Sequence, residues 1–317
     1  MLGGGGSGIY FQWMRYLSFS SLWSADLARI CFLRQVGRCR KTKQAFTPMT
    51  LRKLFAFAIL LLLPFHAAAQ SFDHSHKAWD ALLKKHVVLI SGGKASQLDY
   101  AGMAKDREAL KAYLATLSKV SEAEFNGWSK PQRMAFLINA YNAFTVEKIL
   151  TRYPNLKSIW DFGKVFGNPF KDEFFVLLGR KFSLDAIEHG TLRKPGAYDE
   201  PRVHFAVNCA SIGCPMLREE AYVAERLDAQ LEQQAQRFLS DATRNRATGG
   251  KLEVSMIFNW FKEDWSSGYQ GIQSREQYFA KYAKLLAEDP GQQKLVADGK
   301  APISHLDYDW TLNDARK

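Results

Sequence analysis

Residues 136–150 (FLINAYNAFTVEKIL) carry apolar side chains most of the way round a helical wheel. Phe136, Leu137, Ile138, Tyr141, Phe144, Val146, Ile149 and Leu150 leave no broad polar stripe between them. A helix hydrophobic on every side is buried, not laid on a surface. Whatever this chain folds into must therefore wrap one central helix. Ser129 ahead of Pro131 signals its start, and Pro154 sets its end near Tyr153. Asn139 and Asn142 fall inside the apolar surround, and buried amides need hydrogen-bond partners. Either both pin neighbouring backbone or one lies at the floor of a binding site.

The rest of the pattern supplies the shell. Residues 75–89 and 103–118 have apolar spacing near 3.6 and read as helices. Ser121 with Glu124 forms a capping-box start for a short helix. Residues 174–178, Gly179 and residues 181–182 look like strand, tight turn and strand. Ser183 caps a short helix to about Leu192, residues 202–208 read as a strand, and residues 224–240 as a long amphipathic helix. A strand over 252–258, helix over 274–298 and an extended piece over 307–312 complete the chain. Helices lead, and strands and helices then mix without a regular βαβ rhythm. The expected class is α+β: a single mixed domain, helix-rich, with a small central sheet.

Residues 1–69 obey different rules. Arg52 and Lys53 precede an unbroken apolar run over residues 54–63, Pro64 and His66 break it, and Ala67, Ala68 and Ala69 offer a cleavage exit before Gln70. Charge, apolar run and small residues in that order describe a secretory signal peptide. The run is well short of the about 20 apolar residues of a membrane span. Met49 stands where an initiator belongs. Residues 1–48, opening on a Gly-rich stretch, are therefore expected to lie outside the native precursor, residues 49–69 to be the signal, and residues 70–317 to be one exported domain. The membrane enters only during export. Residues 1–69 hold 9 of the 43 Lys and Arg and 1 of the 32 Asp and Glu, which leaves residues 70–317 at net +3 instead of +11. A strongly basic domain would suggest nucleic acid; with most of that charge in the leader, none is expected as a partner.

Three further segments could carry chemistry. In residues 183–193 (SLDAIEHGTLR), Leu184, Ile187 and Leu192 define a packing face with Glu188 beside it, while Asp185, His189 and Arg193 form a polar stripe at i, i+4 and i+8. The stripe is either a surface row of ion pairs or, with Glu188 next to His189, an acid–base pair. In residues 202–208 (RVHFAVN), strand alternation puts Val203, Phe205 and Val207 on one face and Arg202, His204 and Asn208 on the other. That face is either ordinary solvated surface or a cradle for an anionic or carbonyl-bearing ligand. In residues 209–215 (CASIGCP), Cys209 and Cys214 form a disulfide, or Cys209 is a thiolate nucleophile activated by His204 or His189. Zinc ranks third, because Cys-x4-Cys is not a standard ligand spacing; no metal or cofactor is expected. Trp260, in an aromatic run with Phe258, Phe261 and Trp265, is core packing or the wall of a cleft.

In this order, residues 136–144, 183–193, 202–209, Cys214-Pro215 and 258–265 resemble the family called domain of unknown function 547. The likeness spans about 125–265. It implies one globular domain with both sheet and helix, found in exported bacterial and in eukaryotic multidomain proteins, and implies no activity, substrate or cofactor. Relatives in compartments where disulfides are disfavoured weaken a purely structural bridge. The sequence thus leads to a Cys/His-dependent hydrolase or transferase acting on a small molecule or peptide, with Glu188, His189, His204 and Cys209 reacting and Asn139, Asn142, Arg193, Arg202, Asn208 and Trp260 binding. The rival is a non-catalytic periplasmic binding or scaffold module.

Overall fold

A computed structural model of the protein describes residues 71–163 and 167–316. The signal-like segment and residues 1–48 lie outside the described residues. What is described belongs to one compact unit, Ala68–Lys317, with mixed α and β content.

The chain enters through α1 (Lys77–His86), the hairpin β1 (Val87–Ile90) and β2 (Ala95–Leu98), α2 (Tyr100–Lys105), α3 (Arg107–Lys119) and α4 (Glu122–Asn126). The sequence extends the first helix to residue 89, but Val87, Val88, Leu89 and Ile90 are β-branched or bulky and pair instead with β2. α5 (Lys130–Leu150) is the central helix, and it opens with a complete capping box between Ser129 and Gln132. From Met134 onward nearly all of its residues are buried on every face. Even Lys148 is buried; its ammonium reaches Asp172 at 2.8 Å and the ring of Phe174 at 4.5 Å. Burying each large apolar side chain of such a helix contributes about 1.5–3 kcal/mol.

A tight hairpin follows, β3 (Phe175–Leu177) and β4 (Arg180–Phe182). Its two turn residues, Leu178 and Gly179, both have positive φ (52° and 77°), the geometry of the turn that suits the strand twist. Ser183 then caps α6 (Leu184–Ile187), which continues directly into a single π-helical turn, Glu188–Leu192. Residues 202–208 are not a strand. Pro201–Phe205 is a 3₁₀ helix, started by Pro201 and capped by the Glu200 carboxylate, which accepts from the Arg202 N–H. The alternation of charged and apolar residues mimics a strand, yet Val203 and Val207 join the apolar cluster around α5 while Phe205 joins a second cluster with Phe258, Trp265 and Phe279. The segment runs between two cores, so its side chains diverge in place of lining two faces.

Beyond it come α7 (Leu227–Leu239), β5 (Arg246–Thr248), β6 (Lys251–Ser255), α8 (Ile257–Trp260), α9 (Arg275–Lys281), α10 (Ala283–Leu286), α11 (Pro290–Ala297) and β7 (Ile303–Leu306). The long helix expected over 274–298 is three short ones, and the strand expected over 252–258 ends at Ser255 and turns into α8. β5 and β6 pair antiparallel, and β7 joins β6 in parallel. Strands thus form small sheets of two or three, and a helix holds the centre. Among the described residues no helix is long and apolar enough to cross a membrane.

Candidate functional site

A cavity of about 390 Å³ opens where α5, the π turn, the 3₁₀ segment, the loop after it and residues 308–310 converge. That is within the range for small-molecule sites. Glu188, His189, His204 and Cys209 all line it, as do Cys214 and Trp260.

Two asparagines hold its frame. Asn142 donates to the Ala206 carbonyl (2.9 Å) and accepts from the Asn208 N–H (2.8 Å). Asn139 treats Tyr222 the same way, at 2.7 and 3.0 Å. Each amide imitates a strand neighbour for a backbone segment that has none, and neither residue lines the cavity. Asn208 is also occupied by backbone: it donates to the Pro215 carbonyl (2.7 Å) and accepts from the Ala210 N–H (3.0 Å). Arg202 points elsewhere, into Glu200, Asp228 and Glu232. A 3₁₀ turn separates it from His204, where a strand would have aligned the two.

His204 is almost fully enclosed, its side chain 1% exposed, and its ring stacks on Phe261 at 4.1 Å and 14°. Nε2 lies 2.8 Å from Asp264 Oδ2, and Nδ1 faces Glu188 Oε1 across 4.0 Å, beyond hydrogen-bond length. Burial pushes the imidazole below its ordinary value, against the pull of Asp264 and Glu188, so it is neutral near pH 7. A neutral ring that donates from Nε2 to the carboxylate keeps its lone pair on Nδ1. Burial acts to raise the Asp264 carboxyl, but hydrogen bonds from His204 and Arg193 prevail and hold it well below the usual carboxylate range. Arg193 grips Asp264 with two bonds, 2.6 and 3.1 Å, and also contacts His189. The polar stripe Asp185, His189, Arg193 is therefore no free surface row, since its Arg anchors a carboxylate 71 residues downstream. The imidazole that faces Glu188 is His204; His189 lies nearer the rim and 3.9 Å from Asp185. Burial and the Glu188 carboxylate beside it push the Tyr141 hydroxyl well up.

Cys209 and Cys214 are free thiols, so the bridge expected for an oxidising compartment is absent from this structure. The Cys209 N–H donates to Cys214 Sγ at 2.9 Å, which folds the loop back on itself. Cys209 Sγ lies 3.1 Å from Tyr308 OH and 3.2 Å from Ser211 Oγ, and those two hydroxyls are themselves 3.2 Å apart. Burial would raise the Cys209 thiol, but hydrogen bonds from Cys214, Ser211 and Tyr308 outweigh it and bring the thiol below its ordinary value. Burial and the neighbouring Cys209 push Cys214 well up. Of the pair, Cys209 is the one to ionise. The turn is tight: Ala210 sits at φ 61°, unusual for a residue with a side chain. At Gly213 a Cβ would come 2.9 Å from the backbone N of Asp309. Only glycine lets residues 308–310 approach this closely.

Residues 125–239 match the family model described as protein of unknown function, DUF547. The resemblance drawn from the motifs thus holds over that stretch. The DUF547 segment contains α5, the π turn, His204, Cys209 and Cys214, whereas Asp264, Trp260 and Tyr308 lie beyond it. No curated protein and no solved structure matches the chain.

Asp264 and Tyr308, with the cavity-lining Trp160 and Trp310, are members that sequence reading did not find. Asp264 had one weak local signal, as one of two carboxylates (with Glu263) between Trp260 and Trp265. Among the described residues no group of three or more His, Cys, Asp and Glu could hold a metal ion.

Proposed function

We propose that the cavity is the active site of a cysteine-centred hydrolase or acyl transferase acting on a small molecule or peptide. The observation that carries the reading is that Cys209, with its thiol below the ordinary value, shares one cavity with an imidazole whose tautomer Asp264 fixes. A nucleophile, a base and a group orienting that base are the parts nucleophilic catalysis requires. The thiol proton passes to His204 Nδ1, and the Cys209 thiolate adds to the acyl carbon. The carbon–nitrogen or carbon–oxygen bond to the leaving group breaks, and that group takes the proton from His204. Water or an acceptor alcohol or amine then cleaves the thioester, its proton returning through His204 to the departing thiol. Tyr308 and Ser211 hydroxyls stabilise the thiolate, and Glu188 faces the imidazolium when it forms.

The test is p-nitrophenyl acetate with the full chain at pH 7. The expected result is a nitrophenolate burst stoichiometric with protein and an acetyl group on the Cys209 peptide. Cys209→Ser abolishes both, and His204→Ala slows acylation at least tenfold. Acylation no faster than that of free cysteine, or an adduct located elsewhere, would remove the catalytic reading and favour a non-catalytic binding module.

The same reading has the domain at work outside the cytoplasm, periplasmic or secreted. Its support is the order of charge, apolar run and small residues over 52–69. Fractionation of expressing bacteria, with mass analysis of the exported form, should give a chain beginning at Gln70; a chain retained inside with residues 49–69 intact refutes it.

A further inference from the structure

The cavity's walls specify more than a thiol site. Trp310 meets Trp160 edge-on (5.3 Å, 81°) and Trp260 nearly parallel (5.8 Å, 26°), so the indoles form a corner. Tyr308 packs on both Trp260 (4.8 Å) and Trp310 (4.6 Å) and carries the aromatic surface down to Cys209. Trp160 and Trp260 are 37% and 41% exposed, unusually open for indoles that are part of a wall. The charge inside is one-sided. Asp185 and Glu188 line the cavity, and among the described lining residues there is no Lys or Arg. The nearby Arg193 is directed at Asp264 and covers the ring of Phe261. Burial keeps His204 neutral near pH 7, so it does not offset the two carboxylates.

Aromatic faces present the negative side of the ring quadrupole, so a wall of them attracts an apolar or aromatic body and favours a cation held beside it over an anion. A carboxylate at the floor strengthens the preference and repels anions, more so in an enclosed site than in water. Resting on the thiol-site reading above, we infer that its substrate carries a cationic amine on an apolar or aromatic body, seated with the apolar part in the tryptophan corner and the nitrogen toward Glu188 and Asp185. Such an amine could belong to a free small molecule or to a lysine of a peptide; both present the same ammonium and alkyl stem.

The inference is tested on full-chain Cys209→Ser, which lacks the thiol, so the result does not depend on catalysis. Tryptophan fluorescence and calorimetry follow titration with benzylamine, benzyl alcohol and benzoate at 0.15 M salt. Benzylamine should bind at least tenfold more tightly than benzyl alcohol, and benzoate more weakly than either. In the Asp185→Asn, Glu188→Gln background the amine and alcohol should bind within threefold of each other. Trp160→Ala, at an exposed position, should weaken benzylamine several-fold without unfolding the protein. Phenethylamine set against a tripeptide with a central lysine and both ends blocked decides the source: the tighter of the two names it. Benzoate or benzyl alcohol binding as tightly as benzylamine, or no binding of any, overturns the inference. If acylation of Cys209 succeeds while amine selection fails, only this inference falls. If selection holds while acylation fails, the cavity is a binding site for amines and the catalytic reading falls.

Discussion

Asn142→Ala removes the amide that hydrogen-bonds α5 to the turn between His204 and Cys209. The structure sets the size of the effect. Two bonds are lost, 2.9 Å to the Ala206 carbonyl and 2.8 Å from the Asn208 N–H, in a place where Asn142 itself is 2% exposed. An unsatisfied buried backbone group costs about 1–3 kcal/mol, so two cost about 2–6 kcal/mol. A water entering the space left by the amide brings the loss toward the lower half of that range. Against a total of about 5–15 kcal/mol, a loss near 3 kcal/mol is large. With a urea slope of about 2–3 kcal/mol/M, the midpoint should fall by about 1–1.5 M. Asn142→Asp keeps the acceptor for Asn208 but sets a carboxylate against the Ala206 carbonyl, and should be at least as damaging. Urea unfolding followed by circular dichroism gives the stability. Iodoacetamide labelling of Cys209, measured well below the unfolding range, reports the turn. A loss under about 1 kcal/mol with unchanged labelling would refute the claim that this amide supports the site.

Tyr308→Phe removes a hydroxyl that stabilises the Cys209 thiolate, so the midpoint of the labelling rate against pH should move up and the rate at pH 7 fall several-fold; an unchanged profile would count against the 3.1 Å contact. Gly213→Ala should cost about 1–3 kcal/mol in thermal or urea unfolding, because its Cβ meets the Asp309 backbone at 2.9–3.0 Å. A neutral result would mean that residues 308–310 yield easily. His76, buried with its Nδ1 2.7 Å from Tyr113 OH and flanked by Asp73 and His74, is pushed down by burial to about 3. Its folded value lies below the unfolded one, so the unfolded state takes the proton first. Stability should fall as pH drops below about 6.5 and keep falling to about 3, by roughly 2 kcal/mol between pH 7 and 5. His76→Asn, which tolerates the residue's φ of 49°, should remove that part of the slope; equal slopes in both proteins would contradict it.

What the sequence reveals about this fold is what depends on neighbours in the chain. Ser121, Ser129 and Ser183 all cap helices, because a cap is settled within three residues; the box expected between Ser121 and Glu124 is only half made, since the Glu124 carboxylate accepts from the Phe72 N–H instead. The Leu178-Gly179 turn and the burial of α5 follow from equally local signals. Residues 202–208 mislead because RVHFAVN alternates like a strand, while the deciding feature, Pro201 behind the capping Glu200, acts only once helix is considered. The site's distant members are illegible for a different reason. Asp264 is 60 residues from His204 and Tyr308 is 99 from Cys209, and no pattern within either stretch announces that they meet. Glu188, His189, His204 and Cys209, inside the DUF547 segment, could be named from sequence; Asp264 and Tyr308, which help tune them, lie outside it.

The 99-residue gap between Cys209 and Tyr308 also has a meaning in time. At about 5–20 residues per second, a ribosome needs roughly 5–20 s to pass from one to the other. Throughout that interval Cys209 lacks the hydroxyl of Tyr308 and the backbone bond between Gly213 and Asp309, so the surroundings that stabilise its thiolate are completed only once residues 308–310 have been made.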